Sequence, residues 1–519
     1  MWVKILLLFF VFSFLFRTDD AFNQDLGRHI KLGEIIIQTK QIPKTNLTSY
    51  TYPDFPFINT HWLFEVLTYF FSQNGILPIL LTLKLAILLI SVGLILKLSP
   101  PGDAFILVTT AFIFINLLGN RSSLRPEIFS FLFTACTLYI LEEFLKKPTK
   151  LIYSLPLIQL IWINTHIYFF VGLMLQSIFF LHKRLRILIL IFGLSVLASL
   201  INPNGIAGLL YPLTVNKNYG YTIVENQTIF LLESIGFRSP DFIYAKVAFG
   251  IVIFSLLIPF LRKQFLIKNI LLSLSGVGLA LLNVRSFPYL FFLSFPAVLQ
   301  NFGVVKSNIF TKTITLIMAV ILIFEGFSYL SGDYYRKTDS SNQVGLKLIE
   351  NGKGAMDFVL TNKLPQPIFN NFDIGSYITY RGYPKYKTFV DGRPEAYPKE
   401  FFQDTYIPMQ YDYNKFKIEE QKWGFKTIIF SHTDQTPWAK TFLQSIVLDK
   451  NWKIVYIDDF MLILIKADAM DNLAPINLSG LSPNSFQFSN HVQYLRLGYF
   501  LLITQNAPAG ERFLVRGGI

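Results

Sequence analysis

Eleven apolar runs constrain the fold of this chain more than any motif in it. They fall near residues 1–16, 76–97, 104–118, 127–145, 151–165, 167–181, 186–201, 242–261, 266–284, 287–302 and 309–330. A helix needs roughly 20 predominantly apolar residues to cross a bilayer, and in hydrocarbon each backbone polar group must be satisfied within its own segment, which favours helices. The expected fold is therefore mostly α, a polytopic transmembrane helical bundle of about 11 spans. A content of 52% hydrophobic and 15% charged residues agrees, being more apolar than a soluble core of this length needs. The runs 151–165 and 167–181 nearly touch; they read as a hairpin with a tight turn at Asn164, Thr165 and His166, one long kinked helix being the alternative.

The formal net charge of +13 would suit nucleic acid only if the basic residues clustered on an exposed face. Instead they occupy alternate gaps between runs: Lys97; Lys146, Lys147 and Lys150; Lys183, Arg184 and Arg186; Arg262, Lys263 and Lys268; Lys306 and Lys312. Lys and Arg favour the cytoplasmic side. The alternation predicts a cytoplasmic N-terminus in the cytoplasmic membrane, an extracytoplasmic C-terminal part, and no nucleic-acid partner. Lys4 followed by Ile5 to Phe16 has the shape of a signal peptide, but residues 17–22 lack a small-x-small cleavage site, so the first run reads as a retained anchor. The single cysteine, Cys136, excludes an intrachain disulfide, a CxxC pair and a cysteine zinc cluster.

Beyond residue 332 the pattern turns polar, with strands expected at 367–370, 388–390, 427–430, 454–457 and 461–465 and helices at 344–350, 399–406 and 438–446. The chain thus divides into a transmembrane domain (1–332), a small extracytoplasmic α/β domain (333–468) and a tail (469–519). In the tail, 490–504 and 507–515 suggest one helix-turn-helix unit of the tetratricopeptide kind.

With this topology the informative polar residues collect on the outer face. The first outer loop, 17–75, holds Asp19, Asp20, Asp25, Arg28, His29, His61 and Glu65. Asp25 and His29 are four apart, as are His61 and Glu65, so each pair shares one face of a helix. Leu26, Ile30, Gly33 and Ile37 form an apolar stripe, and Trp62 is an interfacial residue type. Two interfacial amphipathic helices, separated by the turn-rich segment 43–56, are expected to wall a cavity between bilayer and solvent. Arg28, Lys31, Glu34 and Lys40 read as the wet side of the first helix. Asp25 joins Asp19 and Asp20 just outside the first span, where a carboxylate can meet a lipid-phosphate substrate at headgroup level; Asp20 is its rival. Further outer positions are Arg121, Arg125, Asn164, His166, Glu225, Glu233 and Arg285. Arginine suits bidentate phosphate recognition, though Arg125 and Arg285 can equally snorkel to headgroups, and His166 fits a helix-end hydrogen bond. Phosphate-loop, dinucleotide-fold and zinc-protease motifs are absent.

Asp25 to Glu34, Ile42 to Asn46, Ser49 to Thr51, His61 to Leu63, Arg125-Pro126, Trp162 to His166, Asn202 to Gly205, Arg285 to Pro288 and Val390 to Glu395 follow one another in a distinctive order. In that order they resemble bacterial multi-spanning membrane proteins of the GT-C glycosyltransferase type, a mannosyltransferase-like superfamily using polyprenyl-phosphate sugars at the outer membrane face. The resemblance implies an acidic base in the first outer loop, a donor phosphate held by basic residues, and lipid entering sideways from the bilayer. Asp25, with Asp20 in reserve, is then the candidate catalytic residue, and Asp19, His29, His61, Glu65, Arg125, His166 and Arg285 are candidates for substrate binding. The activity implied is hexosyl or pentosyl transfer from a lipid-linked donor to a glycan, lipid or protein acceptor. A phosphate leaves without a strong general acid, so one carboxylate can suffice; a divalent metal is left open, with no residue assigned to it. Two other classes compete. A flippase of lipid-linked glycans should show internal repeats and midplane charges, yet no repeat is found and Lys84 is the main charge inside a span. A scaffold would use its outer domain, with Asp391 and Arg393 in a tight turn, to bind a cell-wall partner.

Overall fold

The computed structural model describes residues 1–73, 75–100, 104–181, 184–215, 219–262, 266–303, 308–338, 340–469 and 473–518; Lys183, Lys263 and Lys306 of the basic gaps lie outside them. Each apolar run is helical: Trp2–Leu15, Ile79–Leu98, Ala104–Asn116, Glu127–Lys146, Leu155–Ile163, Phe170–Ile178, Leu185–Ser199, Pro240–Leu261, Ile267–Leu282, Phe295–Phe302 and Ile309–Ser331. Among the described residues four are long and apolar enough to cross a bilayer by length and composition alone, namely Ile79–Leu98, Glu127–Lys146, Pro240–Leu261 and Ile309–Ser331. The chain is a mostly helical, multi-pass membrane protein with a small C-terminal part built on a β-sheet.

Apolarity all round a helix means burial in protein or in lipid, and the four long helices divide on that point. Glu127–Lys146 has 67% of its apolar window buried and Ile309–Ser331 only 22%, so the first lies at the centre of the bundle and the second at its lipid-facing rim, with Ile309 and Phe324 exposed. Between Leu155–Ile163 and Phe170–Ile178 the chain turns at Asn164, whose amide donates to the Leu160 and Ile201 carbonyls. The hairpin is formed, and a single kinked helix is not.

The first outer loop carries two helices, Leu26–Thr39 and Trp62–Gln73, as expected. Their apolar stripe packs on protein rather than on the bilayer. A Cβ at Gly33 would stand 2.0 Å from the Glu65 carbonyl oxygen, and one at Gly27 would stand 2.8 Å from Tyr380 Cβ. The first outer helix is therefore clasped between the second and the helix Gly375–Gly382. Of the stripe, Leu26 and Ile30 are buried and Ile37 stays exposed.

The C-terminal sheet has the order β1-β2-β4-β3, with β1 (Ile368–Asn370) parallel to β2 (Thr427–Ser431), and β4 (Met461–Lys466) antiparallel to both β2 and β3 (Trp452–Ile457). Side chains alternate faces along a strand, and both faces here are covered. Ile429, Met461, Ile463 and Ile465 join the core continuous with the membrane helices, while Ile428, Phe430, Leu462 and Leu464 face a second, aromatic-rich core. That continuity seats the sheet-containing part on one end of the helical bundle.

Two expectations are corrected. Residues 344–350 are extended instead of helical: the segment exchanges backbone bonds with Asp19, whose N donates to Lys347 O and whose O accepts from Ile349 N, and Gly345 at φ +108° leaves helical space. Residues 388–390 add no strand to the sheet; Thr388 pairs with Ser49 of the first outer loop, so its backbone bonds go to Thr48 and Tyr50. Residues 399–406 are helical as expected, in the form of a π-helix over Phe401–Tyr406. Helices Lys353–Thr361, Gly375–Gly382 and Tyr413–Trp423 were not expected. The tail does form a helical pair, His491–Ile503 and Ala507–Gly517, which docks Leu497, Phe500, Leu501 and Phe513 into the aromatic-rich core and so draws its stability from the sheet rather than from neighbouring repeats.

Candidate functional site

Asp19 and Asp25 occupy different environments. Asp19 Oδ2 accepts from Lys84 Nζ at 2.8 Å and from the Leu124 amide at 2.9 Å, and Oδ1 accepts from the Ala21 amide at 3.0 Å. Both members of the Asp19–Lys84 pair are buried. An ion pair with this many hydrogen bonds clamps the loop to Ile79–Leu98, and Asp19, 3% exposed, is turned into protein, which favours a structural role over the binding role expected of it.

Asp25 is the N-cap of Leu26–Thr39, where the helix dipole favours a negative charge. Among the described residues its side chain accepts only from Arg28 Nη2, at 3.1 Å, and a quarter of it (25%) stays exposed. Burial alone would push the Asp25 carboxyl up; the Arg28 and Arg125 guanidiniums outweigh it and hold the group down to about 2. Asp25 is therefore an ionised carboxylate with an open side. Arg28, expected on the wet face, is buried against it. Gly392 closes from above, where a Cβ would lie 3.3 Å from Asp25 Oδ1. Burial and the neighbouring Asp19 raise the Asp20 carboxyl despite Arg125 and Arg17, which leaves Asp20 the rival base.

Behind Asp25 runs a file of rings. His29 and His61 lie 5.6 Å apart, His61 and His166 5.5 Å, and His166 stacks on Tyr168, which stacks on Tyr289, each at 5.3 Å. Glu65, fully buried, receives Asn59 Nδ2 at 2.6 Å and meets His29 Nδ1 at 3.3 Å. Ser130 Oγ pairs with His166 Nδ1 at 2.7 Å. Burial, followed by Arg28, holds His29 well below the usual histidine range; burial and His29 hold His61 down to about 3. Their depressed pKa values keep these imidazoles neutral at physiological pH, and Glu65 positions His29.

Arg121, Arg125 and Arg285 converge on two carboxylates. Glu225 lies 2.8 Å from Arg121, 3.1 Å from Arg125 and 3.8 Å from Arg285, and Glu127 lies 3.7 Å from Arg121 and 3.4 Å from Arg285. Arg125 and Arg285 thus meet protein anions rather than snorkelling. The Nε of Arg125 is buried without a hydrogen-bond partner, which leaves donor capacity beside Glu225 for an incoming anion, while that of Arg285 faces Glu127 at 3.4 Å. Glu127 escaped the sequence reading, although an acid two residues after Arg125, at the start of a helix, signals it.

The outer part forms the roof. Arg393 donates to Asp391 through Nε (2.9 Å) and Nη2 (2.6 Å), and to Asn46 and Thr48 at 2.6 and 2.7 Å, with its guanidinium 4.9 Å from the Phe57 ring centroid. Asp391 and Arg393 are buried, so this turn fastens the first outer loop and cannot be the exposed docking turn a scaffold would need. The nearby Glu395 carboxyl is pushed up by burial, against its own backbone amide and Arg28.

Among the described residues no group of three or more His, Cys, Asp or Glu side chains is placed to hold a metal ion. Hard cations want several oxygen ligands, whereas here Asp25 is paired to Arg28, Glu65 to Asn59 and His29, and Glu225 to arginines. No step below passes through a metal.

No family model matches the chain, and no curated protein matches it. Its structure is similar to the archaeal oligosaccharyltransferase AglB from Archaeoglobus fulgidus, solved in complex with an inhibitory peptide and a dolichol-phosphate, with a TM-score of 0.53, 10% sequence identity and coverage of 88% of this chain and 72% of that one. At that identity the likeness establishes architecture alone: the chain shares the fold of that protein.

Proposed function

We propose that this protein is a membrane glycosyltransferase that moves a sugar from a polyprenyl-phosphate donor to an acceptor at the outer face of the cytoplasmic membrane. One observation carries the proposal: Asp25, ionised and open on one side, stands under the electrostatic influence of an arginine cluster at the mouth of the bundle. In the reaction, the Asp25 carboxylate accepts the proton of an acceptor hydroxyl as that oxygen attacks the anomeric carbon. The bond from that carbon to the phosphate oxygen breaks, and the lipid phosphate leaves as an anion held by Arg121, Arg125 and Arg285. Arg28 keeps the base ionised between turnovers, and the ring file His29, His61 and His166 positions the sugar. AglB with its bound dolichol-phosphate supports this class of lipid carrier.

The remaining assignments belong to the same reading. The eleven helical runs all cross, the N-terminus is cytoplasmic, and the sheet-containing part (333–468) with its tail lies outside, covering the site and presenting a glycan, lipid or protein acceptor. The test is transfer from a panel of hexosyl and pentosyl polyprenyl phosphates by the purified protein in lipid vesicles. Labelled sugar transferred from at least one donor is the expected result. Folded protein that transfers none, while moving lipid-linked glycan across the bilayer, would point to a flippase instead.

A further inference from the structure

The two carboxylates among the arginines differ in how they are held. Glu127 is 5% exposed and sits in the first turn of Glu127–Lys146, a central helix. Glu225 is 32% exposed and rides on a single turn of 3-10 helix, Val224–Asn226, yet it makes the shorter contacts, 2.8 and 3.1 Å against 3.4 and 3.7 Å. The segment around it is pinned at both ends. On one side Tyr221 stacks on Phe372 at 4.1 Å, and Gly220 lies so close to the outer part that a Cβ would be 2.3 Å from the Lys399 carbonyl oxygen. On the other, the Val284 amide donates to Gln227 O at 3.0 Å, beside Arg285. Residues 219–228 thus form a strap from the aromatic core of the outer part to the arginines, with one acid in its middle.

We infer that Glu225 is a built-in competitor for the donor: the strap seats its carboxylate where the lipid phosphate binds, and phosphate entry exchanges one anion for the other. This rests on the phosphate-transfer reading above. Three guanidiniums facing Glu127 alone would carry two uncompensated positive charges in a poorly solvated site, an expensive state; with Glu225 seated only one remains. An anion can therefore enter by displacing Glu225, and a neutral lipid cannot. The arginines are shielded while no donor is present, and displacement moves a strap anchored on the outer part, so donor binding is sensed by the surface that presents the acceptor.

The test uses farnesyl phosphate, with farnesol as the uncharged control, against the full-length protein in detergent. If the competing state is populated roughly nine times in ten, removing it tightens apparent binding about tenfold. Glu225→Gln is expected to bind farnesyl phosphate about that much more tightly than wild type, with farnesol unaffected and Arg125→Gln abolishing binding. Equal or weaker binding by Glu225→Gln, with Arg125 still required, overturns the competitor and leaves the phosphate site standing. Binding indifferent to Arg125→Gln overturns both. Should Glu225→Gln not fold, a spin label at Val224→Cys in a Cys136→Ser background reads the strap directly: mobility must rise on saturation with farnesyl phosphate, and an unchanged spectrum overturns the inference.

Discussion

Asp19 and Asp25 stand six residues apart in one loop, and the contrast between their surroundings separates structure from chemistry. Asp19 spends its acceptor capacity on Lys84 and two backbone amides, in the dark of the bundle. Asp25 is held by one arginine and keeps a quarter of its side chain exposed. Both carboxylates are paired with a cation, so pairing itself does not mark a site. What distinguishes Asp25 is the unused, partly exposed side of an ionised group.

That contrast can be broken in stability measurements, taken here from the largest effect to the smallest. Lys84→Met leaves the buried Asp19 unpaired and should cost about 3–5 kcal/mol; adding Asp19→Asn should recover part of the loss by removing the orphaned charge. Denaturant unfolding in detergent measures both. Arg393→Lys keeps the charge but loses the fork that joins Asp391, Asn46 and Thr48, and should cost about 2–3 kcal/mol with increased proteolysis of the first outer loop. Gly33→Ala drives a methyl group into the Glu65 backbone and should cost about 1–3 kcal/mol while separating His29 from Glu65.

The pH response sharpens the comparison from another side. His29 and His61 have folded pKa values depressed below the unfolded value near 6.5, so below pH 6.5 the unfolded chain binds protons that the folded one excludes. Stability is complete above that pH and falls as the pH drops towards about 3, where His61 titrates. Over the first unit, 6.5 to 5.5, each histidine should remove at most about 1.4 kcal/mol. Asp25, depressed to about 2 from 3.8, retains its contribution down to pH 3.8 and loses it below, so it is silent between 6.5 and 5.5. Burial raises the Asp373 and Asp458 carboxyls, the latter to about 6, and they titrate there too, so it is the difference between wild type and a histidine variant that isolates the histidines. A His29→Gln, His61→Gln variant should have a flatter profile there; an unchanged slope would assign the acid sensitivity elsewhere.

Much of this architecture was legible in the sequence because bilayer burial writes itself as long local runs. Each run is a helix, the two outer helices follow the spacing of Asp25, His29, His61 and Glu65, and β1 to β4 fall on expected apolar segments. What failed were segments whose partners are distant in the chain. Residues 344–350 pair with 17–19, Thr388 pairs with Ser49, and Arg393 satisfies itself on Asn46 and Thr48, more than 340 residues away. Arg28 misled because a cation on an amphipathic helix looks solvated until the helix packed over it, Gly375–Gly382, is known. Asp19 misled likewise, since its proximity to Asp25 in sequence says nothing of Lys84 beneath it.

The most direct test of the central claim is sugar transfer by Asp25→Asn from whichever polyprenyl-phosphate donor the wild type uses, in lipid vesicles, with farnesyl phosphate binding and thermal unfolding measured on the same preparation. Loss of a general base predicts turnover lower by about 10²–10⁴-fold with phosphate binding kept and unfolding close to wild type. Turnover within a few-fold of wild type, from folded protein that still binds the phosphate, would contradict the assignment of Asp25 as the base.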